Sequence, residues 1–332
     1  GPIAEELHRL GLKFGIHIMR GVPKQAVFAR TPVLNGNCTA DEIADPNAIC
    51  LWNSDMFGTR KDCAGAQAYY DSLFELYASW GVDFVKVDDI AHTGVAESGG
   101  YAAAHDIEMI RRAIDRCGRP IVLSLSPGPA PVEKAWHLRQ NANMWRITND
   151  FWDDWALLKN MFTRCEIWQS HVGPGCWPDC DMLPLGRIGV KFGQPRQTRF
   201  TPAEQKTMLT LWSVFRSPLI LGAELPSLDE ATLRLLTNRD VLRLNRHSFG
   251  ARQIARDDAQ AVWVSQDEDG SHYAALFNLS EETREVSLDL RELEGEAFDC
   301  RELWTGETLA ARQPLSCIIE PHGAKLFRCR TR

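Results

Sequence analysis

The 332-residue chain is 44% hydrophobic and 24% charged, the composition of a folded globular protein, and its length allows one large domain plus a small one. A formal charge of −7 argues against nucleic acid or an anionic membrane as the main partner. No apolar run approaches the roughly 20 residues that span a bilayer.

Ten cysteines fall at irregular spacings with no Cys-x-x-Cys. No histidine pair completes a zinc pattern around Cys176 and Cys180, so no metal is expected. Asn37-Cys38-Thr39 and Asn278-Leu279-Ser280 match the glycosylation acceptor pattern, which is short enough to arise by chance. Eleven tryptophans are many for this length; they pack cores and also stack on sugar faces.

Along the chain, Ile3–Leu10 has the spacing of an amphipathic helix stopped by Gly11, and no signal peptide is visible. Lys13–Met19 reads as a strand with Phe14, Ile16 and Ile18 on one face and Gly15, His17 and Met19 on the other. A long polar loop follows, carrying Pro23, Pro32, Asn35-Gly36, Cys50 and Trp52-Asn53. A helix is expected at Ala64–Trp80, a buried strand at Phe84–Asp88, a Gly-rich loop at Thr93–Gly100, and a helix at Ala102–Cys117. Strands at Ile121–Ser126 and Met144–Thr148 flank a helix at Val132–Gln140, and the stretch from Asn149-Asp150 to Phe162 looks helical. Trp177–Leu183 reads as a short strand or strand-end loop, Thr201–Phe215 as a helix, and Leu219–Leu221 as a last buried strand. Helices at Asp229–Leu236 and Val241–Asn245 come next.

Repeated alternation of strand and helix implies a parallel sheet with right-handed crossovers. Near residue 250 the pattern changes. Ala261–Ser265, His272–Asn278, Glu285–Leu290 and Lys325–Cys329 read as strands joined by turns, a small antiparallel β domain.

In a (β/α)8 barrel, the reacting groups gather at the C-terminal ends of the strands. His17, Lys86, Asp88, Ser126, Arg146, Asp150 and Asp181 fall at such ends, on faces read as inward. Buried charge needs a partner or a use. Two carboxylates facing across a pocket suit glycoside hydrolysis, one attacking the anomeric carbon or activating water and the other protonating the leaving oxygen. Other readings remain beside this one. Asp88 could serve a structural ion pair or cap a helix, Asp150 could be the N-cap of the helix after it, and His17 could be a satisfied core histidine. Asp89 reads as a cap or loop carboxylate. Trp52, in a loop on the strand-end side, is favoured for substrate contact, whereas Trp152 and Trp155 read as packing.

Four ordered motifs, Gly11-Leu12-Lys13-Phe14-Gly15-Ile16, Asp83–Asp88, Met144–Asp150 and Trp177–Leu183, resemble the α-galactosidases of glycoside hydrolase family 27. The resemblance covers roughly residues 3–250, and a β domain after it is also a family feature. It implies a retaining mechanism with Asp88 as nucleophile and Asp150 as general acid/base. Lys86, Arg146 and Asp181 would fall at sugar-binding positions, with no metal or organic cofactor. His17 stands where the family often has tyrosine. Ser126 stands where animal-type α-galactosidases place a glutamate, and a small residue there resembles the α-N-acetylgalactosaminidase arrangement. Asp89-Ile90 replaces a cysteine that often follows the nucleophile, so that family disulfide is expected to be absent.

The family's first two barrel strands, the second bearing paired aspartates, have no counterpart before Ile3. The expected fold is therefore an α/β chain with a (β/α)8 TIM barrel incomplete at its N-terminus (residues 1–247) and an antiparallel β-sandwich (248–332), a fragment or natural truncation. The expected function is that of a retaining exo-glycosidase acting on terminal α-D-galactosides. The rivals are an enzyme for α-N-acetylgalactosaminides or β-L-arabinopyranosides, and a non-catalytic sugar-binding fragment. A barrel aldolase using Lys86 as a Schiff base is disfavoured, because Asp88 would keep that lysine charged. The expected partner is a carbohydrate, with no nucleic acid and no membrane; a homo-oligomer is left open, and the resemblance favours a secreted or periplasmic location.

Overall fold

The structure, a computed structural model, describes residues 1–93 and 101–332. The Gly-rich loop read at Thr93–Gly100 lies, after Thr93, outside the described residues. The chain divides into two compact units, Gly1–Asn149 and Asp150–Arg332. No helix among the described residues is long and apolar enough to cross a membrane.

The first unit opens with α1 (Pro2–Arg9) and β1 (Gly15–Met19). Gly11, at φ 75°, supplies the left-handed turn between them. Next come β2 (Val22–Pro23), α2 (Lys24–Phe28), α3 (Ala40–Ile43), β3 (Ala44–Ile49) and β4 (Met56–Thr59). The three strands form an antiparallel sheet in the order β2-β4-β3. This corrects the reading of one long polar loop. The strands carry little apolar alternation because β3 bulges between Asp45 and Ile49, and the Thr39–Glu42 capping box starts α3 without an apolar run.

The regular pattern then resumes with α4 (Ala64–Ser79), β5 (Phe84–Asp88), α5 (Ala104–Arg116), β6 (Val122–Leu125), α6 (Ala135–Asn141) and β7 (Met144–Arg146). β1, β5, β6 and β7 pair in parallel in that order. On β5, Val85 and Val87 are fully buried while Phe84, Lys86 and Asp88 are half-buried, so the two faces have different environments. Asp83 fixes the other end of this strand, accepting from Phe14 N–H (2.8 Å), Arg119 Nη2 (2.6 Å) and facing His8 Nε2 (2.7 Å).

The second unit contains α7 (Trp155–Trp168), β8 (Trp177–Asp179), the hairpin β9 (Arg187–Ile188) and β10 (Arg196–Gln197), α8 (Pro202–Phe215), α9 (Glu230–Leu236) and α10 (Arg239–His247). The strand read at Leu219–Leu221 is reduced to a single parallel bridge, Leu183 to Leu221, and its residues are only half-buried. Pro218 removes a donor just before it, which leaves too few ladder bonds.

Eight strands complete the unit: β11 (Ser248–Arg256), β12 (Gln260–Asp267), β13 (His272–Asn278), β14 (Arg284–Leu288), β15 (Ala297–Glu302), β16 (Thr308–Arg312), β17 (Leu315–Ile319) and β18 (Ala324–Thr331). They form a six-stranded antiparallel sheet, β11-β12-β13-β18-β15-β16, and a β14-β17 pair. Val262, Val264, Ala274, Leu276, Val286, Leu288 and Phe327 fill the space between the two sheets. The other face of the large sheet is also covered. Phe277 meets Phe162 of α7 (4.9 Å, 79°) and Trp263 meets Phe215 of α8 (6.2 Å, 87°). Burial on both faces explains why β12 and β13 are nearly continuous apolar runs. Asn278 is buried and donates to the carbonyls of Glu282, Ile319 and Glu320, so its acceptor motif is a structural one. The fold class is thus a (β/α) barrel followed by an antiparallel β-sandwich.

Candidate active site

In the first unit, the chemistry collects where β5 ends. His17 on β1 is the register partner of Lys86, and Lys86 is in turn the partner of Ser124 on β6. His17 Nε2 lies 3.2 Å from Asp88 Oδ2, and Asp89 N–H donates to Asp88 Oδ1 at 3.0 Å. Burial alone would raise the Asp88 carboxyl. The His17 ring, the Asp89 N–H and the nearby Ser126 hydroxyl outweigh it and hold the group below the ordinary carboxylate range. The Ser126 hydroxyl is buried yet makes no hydrogen bond of good geometry among the described residues, so its influence on Asp88 is the weakest of the three. A carboxylate at this strand end, its side chain 21% exposed, is within reach of a molecule outside the strand and has the chemistry a nucleophile needs.

Asp89 is neither a cap nor a loose loop carboxylate. It sits in the left-handed region at φ 56°, with its side chain on the buried guanidinium of Arg20. Arg20 Nη2 donates to Asp89 Oδ2 and Nε to the Asp89 carbonyl, both at 2.6 Å, while Arg20 N–H donates to the Asp88 carbonyl at 3.0 Å. Asp106 Oδ2 stands 3.6 Å from Arg20 Nη1, and Asp106 Oδ1 takes the hydroxyls of Thr59 (2.5 Å) and Tyr70 (2.7 Å). Burial pushes the Asp89 carboxyl up despite Arg20, and the Asp88 charge adds to the rise. Sequence reasoning missed Arg20 and Asp106. The available signal was an aspartate on the otherwise apolar stripe of α5 with Ile107, Ile110 and Ile114, which demands a buried cation nearby.

The remaining first-unit residues frame the same strand ends. Arg146, at the end of β7, is buried, and its carbonyl accepts from Ala130 N–H at 2.9 Å. Gly128 comes so close to β7's end that a Cβ would lie 2.4 Å from the Thr148 carbonyl, a contact only glycine permits. Trp52 is 58% exposed on a loop whose Cys50 thiol lies beside Asp89 and Arg20.

In the second unit, Asp150 is exposed and its neighbours are anchored. Phe151 N–H donates to Asp181 Oδ2 at 2.7 Å. Asp181 is buried at φ 74°, takes Asp179 Oδ1 on its own N–H (2.8 Å) and offers its carbonyl to Trp212 Nε1 (3.1 Å). Asp150 is not the N-cap of α7. Asp154 is, accepting from Ala156 and Leu157 N–H. The helix starts later than its apolar pattern because Asp153 is diverted into an ion pair with Arg196. Trp155 packs as read, stacked at 3.8 Å on His322, whereas Trp152 is half-buried and stacked on Phe192.

A parallel barrel with acid groups at its strand ends, followed along the chain by a β-sandwich, is the architecture of a sugar-processing enzyme class, and comparison with known proteins makes the class definite. Residues 48–247 match the family model described as "Alpha galactosidase A", and residues 257–329 match "Alpha galactosidase C-terminal beta sandwich domain". A β-L-arabinopyranosidase of glycoside hydrolase family 27 from Geobacillus stearothermophilus is 53% identical, with a TM-score of 0.96 over 99% of this chain and 76% of that one. A proposed α-N-acetylgalactosaminidase from Bacillus halodurans is 46% identical, with a TM-score of 0.88 over 100% of this chain and 78% of that one. Alpha-galactosidase 2 of Arabidopsis thaliana is 25% identical over 79% of this chain, which spans 64% of the length of that relative. The chain belongs to the α-galactosidase family, glycoside hydrolase family 27.

Proposed function

We propose that the chain is a retaining exo-glycosidase acting on the terminal residue of a carbohydrate with galacto ring configuration. The observation that carries this reading is Asp88 at the end of β5, hydrogen-bonded on both oxygens within the family motif. Asp88 Oδ attacks the anomeric carbon as the bond to the leaving oxygen breaks, and Asp150 gives that oxygen its proton. Water then attacks the same carbon, Asp150 takes its proton, and the ester to Asp88 breaks; two inversions give net retention. His17, Lys86, Arg146 and Asp181 would hold sugar hydroxyls, with Trp52 and Ser126 at the rim. We place the catalytic part at 1–247 and the sandwich at 248–332, in keeping with a barrel match that ends at 247.

Among the sugars, β-L-arabinopyranosides rank first, because the relative at 53% identity is a β-L-arabinopyranosidase. α-D-Galactosides, the expectation from sequence, rank second on curated relatives at 25% and 28% identity. The two sugars share their ring configuration and differ by the hydroxymethyl group. The test is hydrolysis of the nitrophenyl β-L-arabinopyranoside, α-galactoside and α-N-acetylgalactosaminide by the chain and by Asp88→Asn, with the product anomer followed by NMR. Retained product that disappears in the variant supports the reading. Inverted product, or release that survives the substitution, removes it.

A further inference from the structure

From Asp150 to Asp153, exposure alternates: Asp150 is exposed, Phe151 buried, Trp152 half-buried and Asp153 buried. The buried pair are anchors. The Phe151 ring packs on Trp212 (4.9 Å) and Phe200 (6.1 Å), with its N–H on Asp181. The Asp153 carboxylate is gripped by both terminal nitrogens of Arg196, Nη2 at 2.6 Å, and accepts from Arg199 N–H at 2.6 Å. Asp150 and Trp152 are therefore left on the open side of one pinned segment.

The open side continues into the β9–β10 hairpin. Phe192, 78% exposed near its tip, stacks on Trp152 with ring centroids 6.4 Å apart at 22°. The hairpin is held by the same Arg196 that grips Asp153, and by a tight turn at Gly189, where a Cβ would lie 2.4 Å from the Gln194 carbonyl. Single exposed apolar residues are ordinary. Two stacked aromatics, one on the pinned segment two residues from the proposed acid/base and the other on the paired hairpin, form a built surface.

We propose that Trp152 and Phe192 are the leaving-group subsite, an apolar platform for a ring with a C–H or π face, either a pyranose or an aryl group. The inference rests on the reading of Asp150 as acid/base. That carboxyl must meet the glycosidic oxygen, so the group on the far side of that oxygen is the leaving group, and Trp152 is the aromatic two residues along. An aromatic face takes the apolar side of a sugar ring without a charged partner. It offers nothing to a leaving group that has no ring.

The test uses three substrates with one glycone: the glycosyl fluoride, the 4-nitrophenyl glycoside and a disaccharide. In Trp152→Ala the kcat/KM ratio of ring-bearing substrate to fluoride should fall about tenfold, and in Phe192→Ala about threefold, mostly through KM. Phe192→Tyr, which keeps the face, should stay within about twofold of wild type. A fall in the disaccharide arm alone identifies a sugar as the ligand, and a fall in the aryl arm alone an aryl group. Ratios unchanged in both arms with an active wild type overturn the subsite and leave the glycosidase reading standing. A wild type inactive even on the fluoride overturns both.

Discussion

At the end of β5 it is the carboxylate that is held. Asp88 has His17 on one oxygen and the Asp89 N–H on the other, and the turn behind it is locked by Arg20. Around Asp150 the backbone is held beside an exposed residue. Phe151 and Asp153 are buried and bonded on either side, and the carboxyl between them is exposed. The two arrangements match the two proposed tasks. A nucleophile must keep its charge and its line of attack, and fixed donors secure both. An acid/base must lose and regain a proton in each cycle, which needs an open carboxyl on a fixed main chain.

Removing the held carboxylate has the largest expected effect. Asp88→Gly should lower kcat by about 10⁴-fold or more, because no covalent intermediate can form. Added azide should occupy the vacated space and give the inverted glycosyl azide. A retained azide would assign the nucleophile elsewhere. Asp150→Ala comes next, with a loss of about 10²–10⁴-fold on substrates whose leaving oxygen needs a proton, and less on those with acidic leaving groups. Azide should here give the retained product, since the ester to Asp88 still forms. Equal losses for good and poor leaving groups would deny Asp150 its role. Smaller again is Phe151→Ala. It opens a void worth about 3–5 kcal/mol of stability and should cost about tenfold in kcat by loosening the segment under Asp150. Thermal unfolding beside kinetics checks both, and a destabilised variant with unchanged kcat would show that the main-chain anchor is not needed.

The Asp88 half of this contrast was largely legible in the sequence, because Phe84–Asp88 places two charges on one face of an apolar strand and the period of two makes that visible. The helices from Ala64 onward were legible for the same reason of period. The Asp150 half was less so. A helix was read straight through from Asn149, since nothing local distinguishes Asp150 from Asp153 or Asp154; three aspartates in five residues end as an exposed acid, an ion pair and a cap through long-range partners such as Arg196. β2 to β4 were missed because bulged strands lose alternation. β11, β15, β16 and β17 were missed because their polar outer faces dilute a short pattern. The Arg20–Asp89–Asp106 cluster joins residues 69 and more apart in sequence and is visible only once β1 and β5 are side by side.

That cluster gives the smallest effect at neutral pH and the sharpest test of how Asp88 is held. Arg20 is buried against Asp89, so Arg20→Met leaves a buried carboxylate beside Asp88 without its cation. Breaking such a pair from one side costs about 3–5 kcal/mol of stability. A second effect falls on the chemistry. The turn that presents the Asp89 N–H to Asp88 Oδ1 loses the Arg20 side chain that clamps it, so that donor weakens and the depressed Asp88 pKa should rise. Because the proposed nucleophile works as the anion, activity should be lost as pH falls through that pKa. In wild type the loss should come below the ordinary carboxylate value of about 3.9. In Arg20→Met the acid limb of kcat/KM should move up by about one pH unit, with rates near pH 7 changed little. Adding Asp89→Asn removes the stranded carboxyl while keeping the side chain's shape, and should recover part of the lost stability without returning the limb, because the clamp on the turn is still missing. A merely structural cluster predicts the opposite pattern, a destabilised single variant whose acid limb does not move.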